Sequence, residues 1–114
     1  MSEQTRVPTD RRLGPMGDEV VFENDRVRIW ELTLPPGADS HIHQHELDYI
    51  LVILGGDRVA AVQEPDSTSS LPPYFESAVT PGQAVFVERG GIEIARNVGA
   101  EPYHEFIIEL KDTP

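Results

Sequence analysis

Short runs of β-branched and aromatic residues recur along the chain from Val20 to Leu110, and residues that favour turns separate them. This alternation is typical of an all-β domain. No window of about twelve residues keeps the i, i+3, i+4, i+7 spacing of an amphipathic helix without a Pro or Gly inside it. The pattern therefore predicts little or no helix, and strands over the runs VVFEN, RVRIWELTL, DYILVIL, RVAAVQE, YFESAVT, QAVFVE, IEIARN and YHEFIIEL.

Two segments lack this strand pattern. Residues 1–18 mix Pro, Gly and charges of both signs, which predicts an N-terminal arm that is flexible or that orders on a partner subunit. Residues 64–73 are polar and rich in Ser and Pro, which predicts a loop at the mouth of a barrel. Residues 19–114 then form the barrel domain.

Composition narrows the possible functions. A chain of 114 residues forms one domain, and the absence of cysteine excludes disulfides, thiolate nucleophiles and Cys-ligated metals. The formal charge of −11 disfavours nucleic acid and anionic membrane surfaces as partners. The longest apolar run, Tyr49 to Leu54, is far shorter than a membrane helix requires. We therefore expect a soluble, cytoplasmic protein that binds neither nucleic acid nor membranes directly.

The segment after Pro35-Pro36-Gly37 carries three of the four histidines, at alternate positions. Side chains two residues apart on a strand project to the same face, so two such histidines can bind one cation. His41 and His43 form one possible pair, and His43 and His45 form the other. Asp48 follows shortly afterwards and supplies a carboxylate.

This segment resembles the first motif of the cupin superfamily, which reads Gly, five residues, His-x-His, three or four residues, Glu, six residues, Gly. His41 and His43 are followed by four residues, Asp48, six residues and Gly55. Counting from Gly37 instead selects His43 and His45 but leaves only two residues before Asp48. We prefer His41 and His43, because the ligand-to-strand spacing fixes the metal while the preceding turn can vary.

The second cupin motif reads Gly, five residues, Pro-x-Gly, two residues, His, three residues, Asn. Residues 82–97 keep this spacing from Gly82 to Asn97, with Glu88 in place of Pro and Glu93 in place of the metal-binding His. The resemblance covers residues 20–110 and implies a single-domain cupin barrel, also called a jelly roll or double-stranded β-helix. It further implies one divalent ion, Fe, Mn, Ni, Co or Zn, held by His41, His43, Asp48 and Glu93, with His45 as an alternative ligand.

Other residues are candidates for roles near such a metal. His104 begins the last strand and, with Asp48 and Glu93, is a candidate acid or base. Arg28 and Arg96 are candidates to bind a substrate carboxylate. The expected substrate pocket contains the apolar residues Trp30, Ile50, Phe86 and Phe106.

We therefore expect a metal-dependent enzyme that acts on a small molecule as a dioxygenase, isomerase, cyclase or lyase. One alternative is a non-catalytic cupin that binds or senses a small ligand, with a structural metal or none. Another is metal-free acid–base catalysis by Asp48 and Glu93, whose proximity would raise one of the two pKa values. The resemblance to single-domain cupins also implies a homodimer.

Overall fold

The computed structural model of the protein describes residues 11–112. This part of the chain contains nine β-strands and no helix, so it offers no helical segment long and apolar enough to cross a membrane. The strands are β1 Glu19–Glu23, β2 Val27–Leu34, β3 His43–Gln44, β4 Tyr49–Gly55, β5 Arg58–Gln63, β6 Tyr74–Ala78, β7 Ala84–Val87, β8 Ile92–Asn97 and β9 Tyr103–Leu110.

The strands form two antiparallel sheets. One has the order β1-β2-β9-β4-β7 and the other the order β3-β8-β5-β6. Eight of these strands fall on the runs named above, and the two-residue strand β3 is additional. The all-β prediction and the near absence of helix are therefore confirmed for the described residues.

The core lies between the two sheets, and its buried clusters come mainly from alternate residues of β2, β4 and β9. Leu32, Leu34, Ile53 and Tyr103 form one buried cluster. Met16, Tyr49 and Ile107 form a second one. Met16 belongs to the expected N-terminal arm, of which residues 1–10 lie outside the described range. Residues 11–18 pack on their own barrel, where the Gly14 amide donates to the Ile42 carbonyl at 2.7 Å.

Asn97 fixes the end of β8. Its side-chain amide donates to the carbonyls of Leu34 and Glu101, both at 2.9 Å, and its Oδ1 accepts from the Gly99 amide at 2.9 Å. The residue is 1% exposed, so these bonds are made away from water, where an unpaired amide would be costly. Asn97 thereby ties β8 to β2 and to the start of β9, four residues beyond Glu93.

Candidate metal centre

His43, His45 and Glu93 come together between the sheets. One ligand atom of each lies within 4.8 Å of the others. Oε2 of Glu93 is 4.0 Å from Nε2 of His43 and 3.6 Å from Nε2 of His45. Both imidazoles are buried. Because Zn–N and Zn–O bonds are about 2.0–2.2 Å long, two ligand atoms separated by these distances can share one ion.

Strand pairing positions these three side chains. His43 lies opposite Glu93 in the β3–β8 pair, and Glu93 lies opposite Gln63 in the β8–β5 pair. The side chains of His43, Glu93 and Gln63 therefore share the inner face of the sheet. His45 follows β3 and is held by two backbone bonds, from its amide to the Gly91 carbonyl at 2.8 Å and from the Gly90 amide to its carbonyl at 2.9 Å. A Cβ at Gly91 would lie 3.1 Å from Oε1 of Glu93, so glycine leaves room for the carboxylate.

Hydrogen bonds prepare two of the side chains for a cation. Nδ1 of His43 is 2.8 Å from the His41 carbonyl, which only accepts, so Nδ1 carries the hydrogen and the Nε2 lone pair stays free. The Gln63 amide donates to Oε1 of Glu93 at 2.8 Å. Nδ1 of His45 is buried and has no hydrogen-bond partner within residues 11–112.

The charges of the cluster also suit a divalent ion. Burial lowers the pKa of His43, and the neighbouring His45 lowers it further, so the imidazole is neutral near pH 7. Burial by itself raises the pKa of Glu93, but His45, Gln63 and His43 outweigh it and the net pKa is lowered. Two imidazoles and one carboxylate form a mixed nitrogen and oxygen set that suits Zn, Fe, Ni or Mn. The residues present therefore fit a divalent metal.

The structure does not bring His41 or Asp48 to this cluster. The His41 side chain is exposed and lies against Gly14. Asp48 accepts from the backbone amide and Nε of Arg89, at 2.9 and 3.1 Å, and this arginine holds the pKa of Asp48 below its usual value. Asp48 and Glu93 are therefore not the close carboxylate pair that metal-free catalysis requires.

The positions of His43 and His45 indicate the other way of counting the first cupin motif. Five residues separate Gly37 from His43, three separate His45 from Tyr49, and six separate Tyr49 from Gly56. The motif fits throughout when Tyr49 stands in place of Glu. Our preference for His41 and His43 rested on the spacing from this pair through Asp48 to Gly55, but the structure pairs Asp48 with Arg89, away from the two buried imidazoles.

The cluster of candidate ligands His43, His45 and Glu93, called the metal cluster below, lies in the wall of a cavity of about 660 Å³. Apolar side chains from both sheets form much of the rest of the lining, and the expected 64–73 loop contributes Thr68, Ser69, Ser70 and Leu71. Of the expected substrate pocket, Phe86 borders this cavity at the edge strand β7, but its pairing with Ile50 puts its side chain on the outer face of the sheet. Trp30 lines a second, smaller cavity, and neither Ile50 nor Phe106 lines the main one.

The other polar candidates also lie away from the metal cluster. His104 contacts Glu31 at 2.6 Å, and both residues are about one third exposed. Arg96 binds Asp39 at 2.7 Å, and Arg28 lies 3.1 Å from buried Glu109, which also accepts from the Trp30 indole at 2.7 Å. The two arginines are thus already paired with carboxylates of this chain.

A buried carboxyl that sequence reasoning missed, Glu105, lines the same cavity. It is 5% exposed, its cross-strand neighbours on the inner face are Leu32 and Ile53, and the Tyr103 hydroxyl donates to its Oε1. Burial raises the pKa of Glu105 to about 7, the Tyr103 hydrogen bond opposes this shift, and the negative charge of Glu93 adds to it. The group therefore exchanges a proton near neutral pH.

No family model and no curated protein matches this sequence. Solved structures do match. A cupin domain from Bordetella pertussis Tohama I is 22% identical, with a TM-score of 0.68 over 82% of this chain and 90% of that one. A cupin with a double-stranded β-helix fold from Methanocaldococcus jannaschii is 16% identical, with a TM-score of 0.59 over 85% and 93% of the two chains.

An enzyme is also among the similar structures. The DMSP lyase DddQ from Ruegeria pomeroyi DSS-3 is 22% identical, with a TM-score of 0.56 over 78% of this chain but only 40% of that one. At these identities the likeness concerns the fold. Together with the two cupin motifs and the paired antiparallel sheets, it shows that the described part of the chain has the cupin fold.

Proposed function

We propose that the protein is a metal-dependent enzyme that transfers protons on a small, mainly apolar molecule bound inside the barrel. The observation that carries this proposal is the presence of two chemically different groups in one cavity. One is the His43, His45 and Glu93 cluster, and the other is the buried Glu105, whose pKa burial raises to about 7 in the metal-free protein. A general acid or base works best when its pKa is near the working pH.

Each part of the cavity has a distinct task in this proposal. His43, His45 and Glu93 hold the divalent ion, which when bound supplies Lewis-acid polarisation of a substrate oxygen. Glu105 accepts or returns a proton, and the Tyr103 hydroxyl keeps its carboxyl oriented. Apolar residues such as Leu51 and Ile53 bind the body of the substrate and exclude water. Proton transfer of this kind serves lyases, isomerases and cyclases, and the fold likeness to a lyase agrees with this class.

Metal analysis of the tag-free protein tests the first part. We expect wild-type protein to hold about one ion per chain after reconstitution. The metal affinity should be at least about tenfold lower in His43→Ala, His45→Ala and Glu93→Ala. His41→Ala and Asp48→Ala are the matched controls and should retain the metal. If wild-type protein takes up none of Fe, Mn, Ni, Co or Zn, the proposal fails.

Turnover tests the second part. Metal-loaded protein is incubated in D₂O with small ketones and hydroxy acids, and NMR follows replacement of carbon-bound hydrogen and any new product. We expect activity in wild type and its loss in Glu105→Gln with unchanged metal content. Metal binding without any exchange or conversion would instead support the non-catalytic ligand-binding alternative.

A further inference from the structure

Two rows of apolar residues cross the main cavity, one on the inner face of each sheet. Each row consists of residues that pair across neighbouring strands, and each ends on an edge strand, β6 in one sheet and β7 in the other. The first row is Ala95, Ala61 and Phe75, and the second row is Ile107, Leu51 and Val85. All six residues line the main cavity. The two sheets therefore offer an apolar path that leads toward both edge strands.

Both rows begin beside the metal cluster. Ala95 follows Glu93 by two positions on β8, and Leu51 follows Tyr49 by two positions on β4. The Tyr49 ring stacks on the His45 imidazole, with ring centroids 3.9 Å apart. Because residues two positions apart on a strand project to the same face, each row lies one step along the strands from the metal cluster.

The rows open to solvent at the edge strands. Ile107 is 1% exposed, whereas Phe75 and Val85 are 41% and 37% exposed although both line the cavity. Large apolar side chains that face a barrel interior are normally buried. The exposure of this pair, one from each sheet, therefore marks an opening of the cavity between β6 and β7. The cavity volume of about 660 Å³ is also in the range of about 300–1,000 Å³ that is typical of sites for drug-sized ligands.

We propose that the substrate carries an apolar chain that lies between the two rows and reaches the opening at Phe75 and Val85. This inference rests on the proposed function and names its substrate class, which is an amphiphile whose oxygen-bearing end lies at the metal cluster. The small side chains of Ala61 and Ala95 leave width for such a chain, and the chain covers the apolar surface of Phe75 and Val85. A phosphate or carboxylate group on the chain is disfavoured, because neither row supplies a cation to pair with it.

Alkyl hydroxamates test this directly, because their head group chelates divalent metals and their chain length can be varied alone. Zn(II)-loaded protein is titrated by calorimetry with acetohydroxamate, butanohydroxamate, hexanohydroxamate and octanohydroxamate. Burial of each added methylene should raise the affinity by about threefold while the chain stays between the rows. The heat-capacity change of binding should become more negative along the series. This series needs no variant.

Variants assign the dependence on chain length to the opening. Phe75→Ser and Val85→Ser should each lower the affinity for octanohydroxamate by at least about threefold and leave that for acetohydroxamate unchanged. Tyr74→Ser is the matched control, because Tyr74 precedes Phe75 on β6 and is 48% exposed but projects to the other face. Circular dichroism of each variant checks the fold.

The outcomes separate this inference from the proposed function. An affinity that is absent or independent of chain length in metal-loaded wild type overturns the inference alone, and it is the result expected if a second copy of the chain closes the opening. A dependence on chain length that both serine variants retain overturns it as well. Failure of wild type to bind any metal overturns the proposed function and this inference with it.

Discussion

The Gln63 side-chain amide donates a 2.8 Å hydrogen bond to Oε1 of Glu93 and leaves Oε2 of that carboxylate facing the two imidazoles. Gln63 is itself held, because the Ser67 hydroxyl donates to its Oε1 at 2.6 Å and the Ile92 amide donates to that hydroxyl at 3.1 Å. The 64–73 loop is thereby connected to the metal cluster through two side chains.

We expect Gln63→Leu to weaken metal binding by about 10–100-fold, because residues that orient a metal ligand typically contribute that much. Competition with a chromophoric chelator measures the affinity. Gln44→Leu is the matched control, since Gln44 stands between His43 and His45 in the sequence but is exposed on the other face of β3. Equal affinities for wild type and Gln63→Leu would contradict the role of this hydrogen bond.

The raised pKa of Glu105 predicts that the free energy of unfolding depends on pH. Its pKa rises from 4.5 to about 7 on folding, so between these values the folded protein binds more protons than the unfolded chain. The contribution of Glu105 to the free energy of unfolding is therefore complete below about pH 4.5, and it is lost as the pH rises through 7. A shift of this size corresponds to roughly 3 kcal/mol. The groups that act on this carboxyl are Tyr103 and Glu93.

Urea unfolding of metal-free wild type and Glu105→Gln between about pH 4 and 9 measures the effect. The difference in the free energy of unfolding should grow in favour of Glu105→Gln as the pH rises, and it should level off above pH 8. Tyr103→Phe removes the hydrogen bond that opposes the shift, so it should move the loss to higher pH. Parallel pH profiles for wild type and Glu105→Gln would exclude a raised pKa.

Eight of the nine strands were predictable from the sequence because each of them is a run rich in β-branched or aromatic residues that ends at Gly, Pro or a polar loop, whereas β3 has only two residues. The sequence did not predict which face of β9 points into the barrel. His104, Phe106, Ile108 and Leu110 form the more apolar set of that strand, but Tyr103, Glu105, Ile107 and Glu109 are the buried ones. The usual pattern is inverted because the interior holds polar groups, which only the three-dimensional cavity reveals.

The histidine pair was ambiguous for a related reason. His41, His43 and His45 all share one parity, so strand periodicity alone allows two adjacent pairs. The structure resolves the choice through the other member of each pair, because Nε2 of His45 lies 3.6 Å from Oε2 of Glu93 whereas the His41 side chain is exposed. Glu93 was predicted as a ligand because the second motif keeps its spacing to Asn97, and the structure places its carboxylate beside the two imidazoles.

The outer face of the five-stranded sheet supports the homodimer, which stays a prediction. One cross-strand row runs over all five strands and consists of Phe22, Ile29, Ile108, Ile50 and Phe86. Its two ends are the most open, with Phe22 51% and Phe86 59% exposed. An apolar row of this length is unusual on a monomer with a net charge of −11. We expect a second copy of the chain to cover it through a twofold, self-complementary contact.

Light scattering after gel filtration should give twice the 12.7 kDa mass of one chain for wild type and one chain for Phe22→Lys combined with Phe86→Lys. Leu13→Lys is the control, because Leu13 is 44% exposed and lies outside this row. The paired substitutions place two cations in the contact and should leave the fold intact, because both side chains already reach solvent. A monomeric wild type at high protein concentration would contradict the dimer. A dimer that persists in the double variant would place the contact on another face.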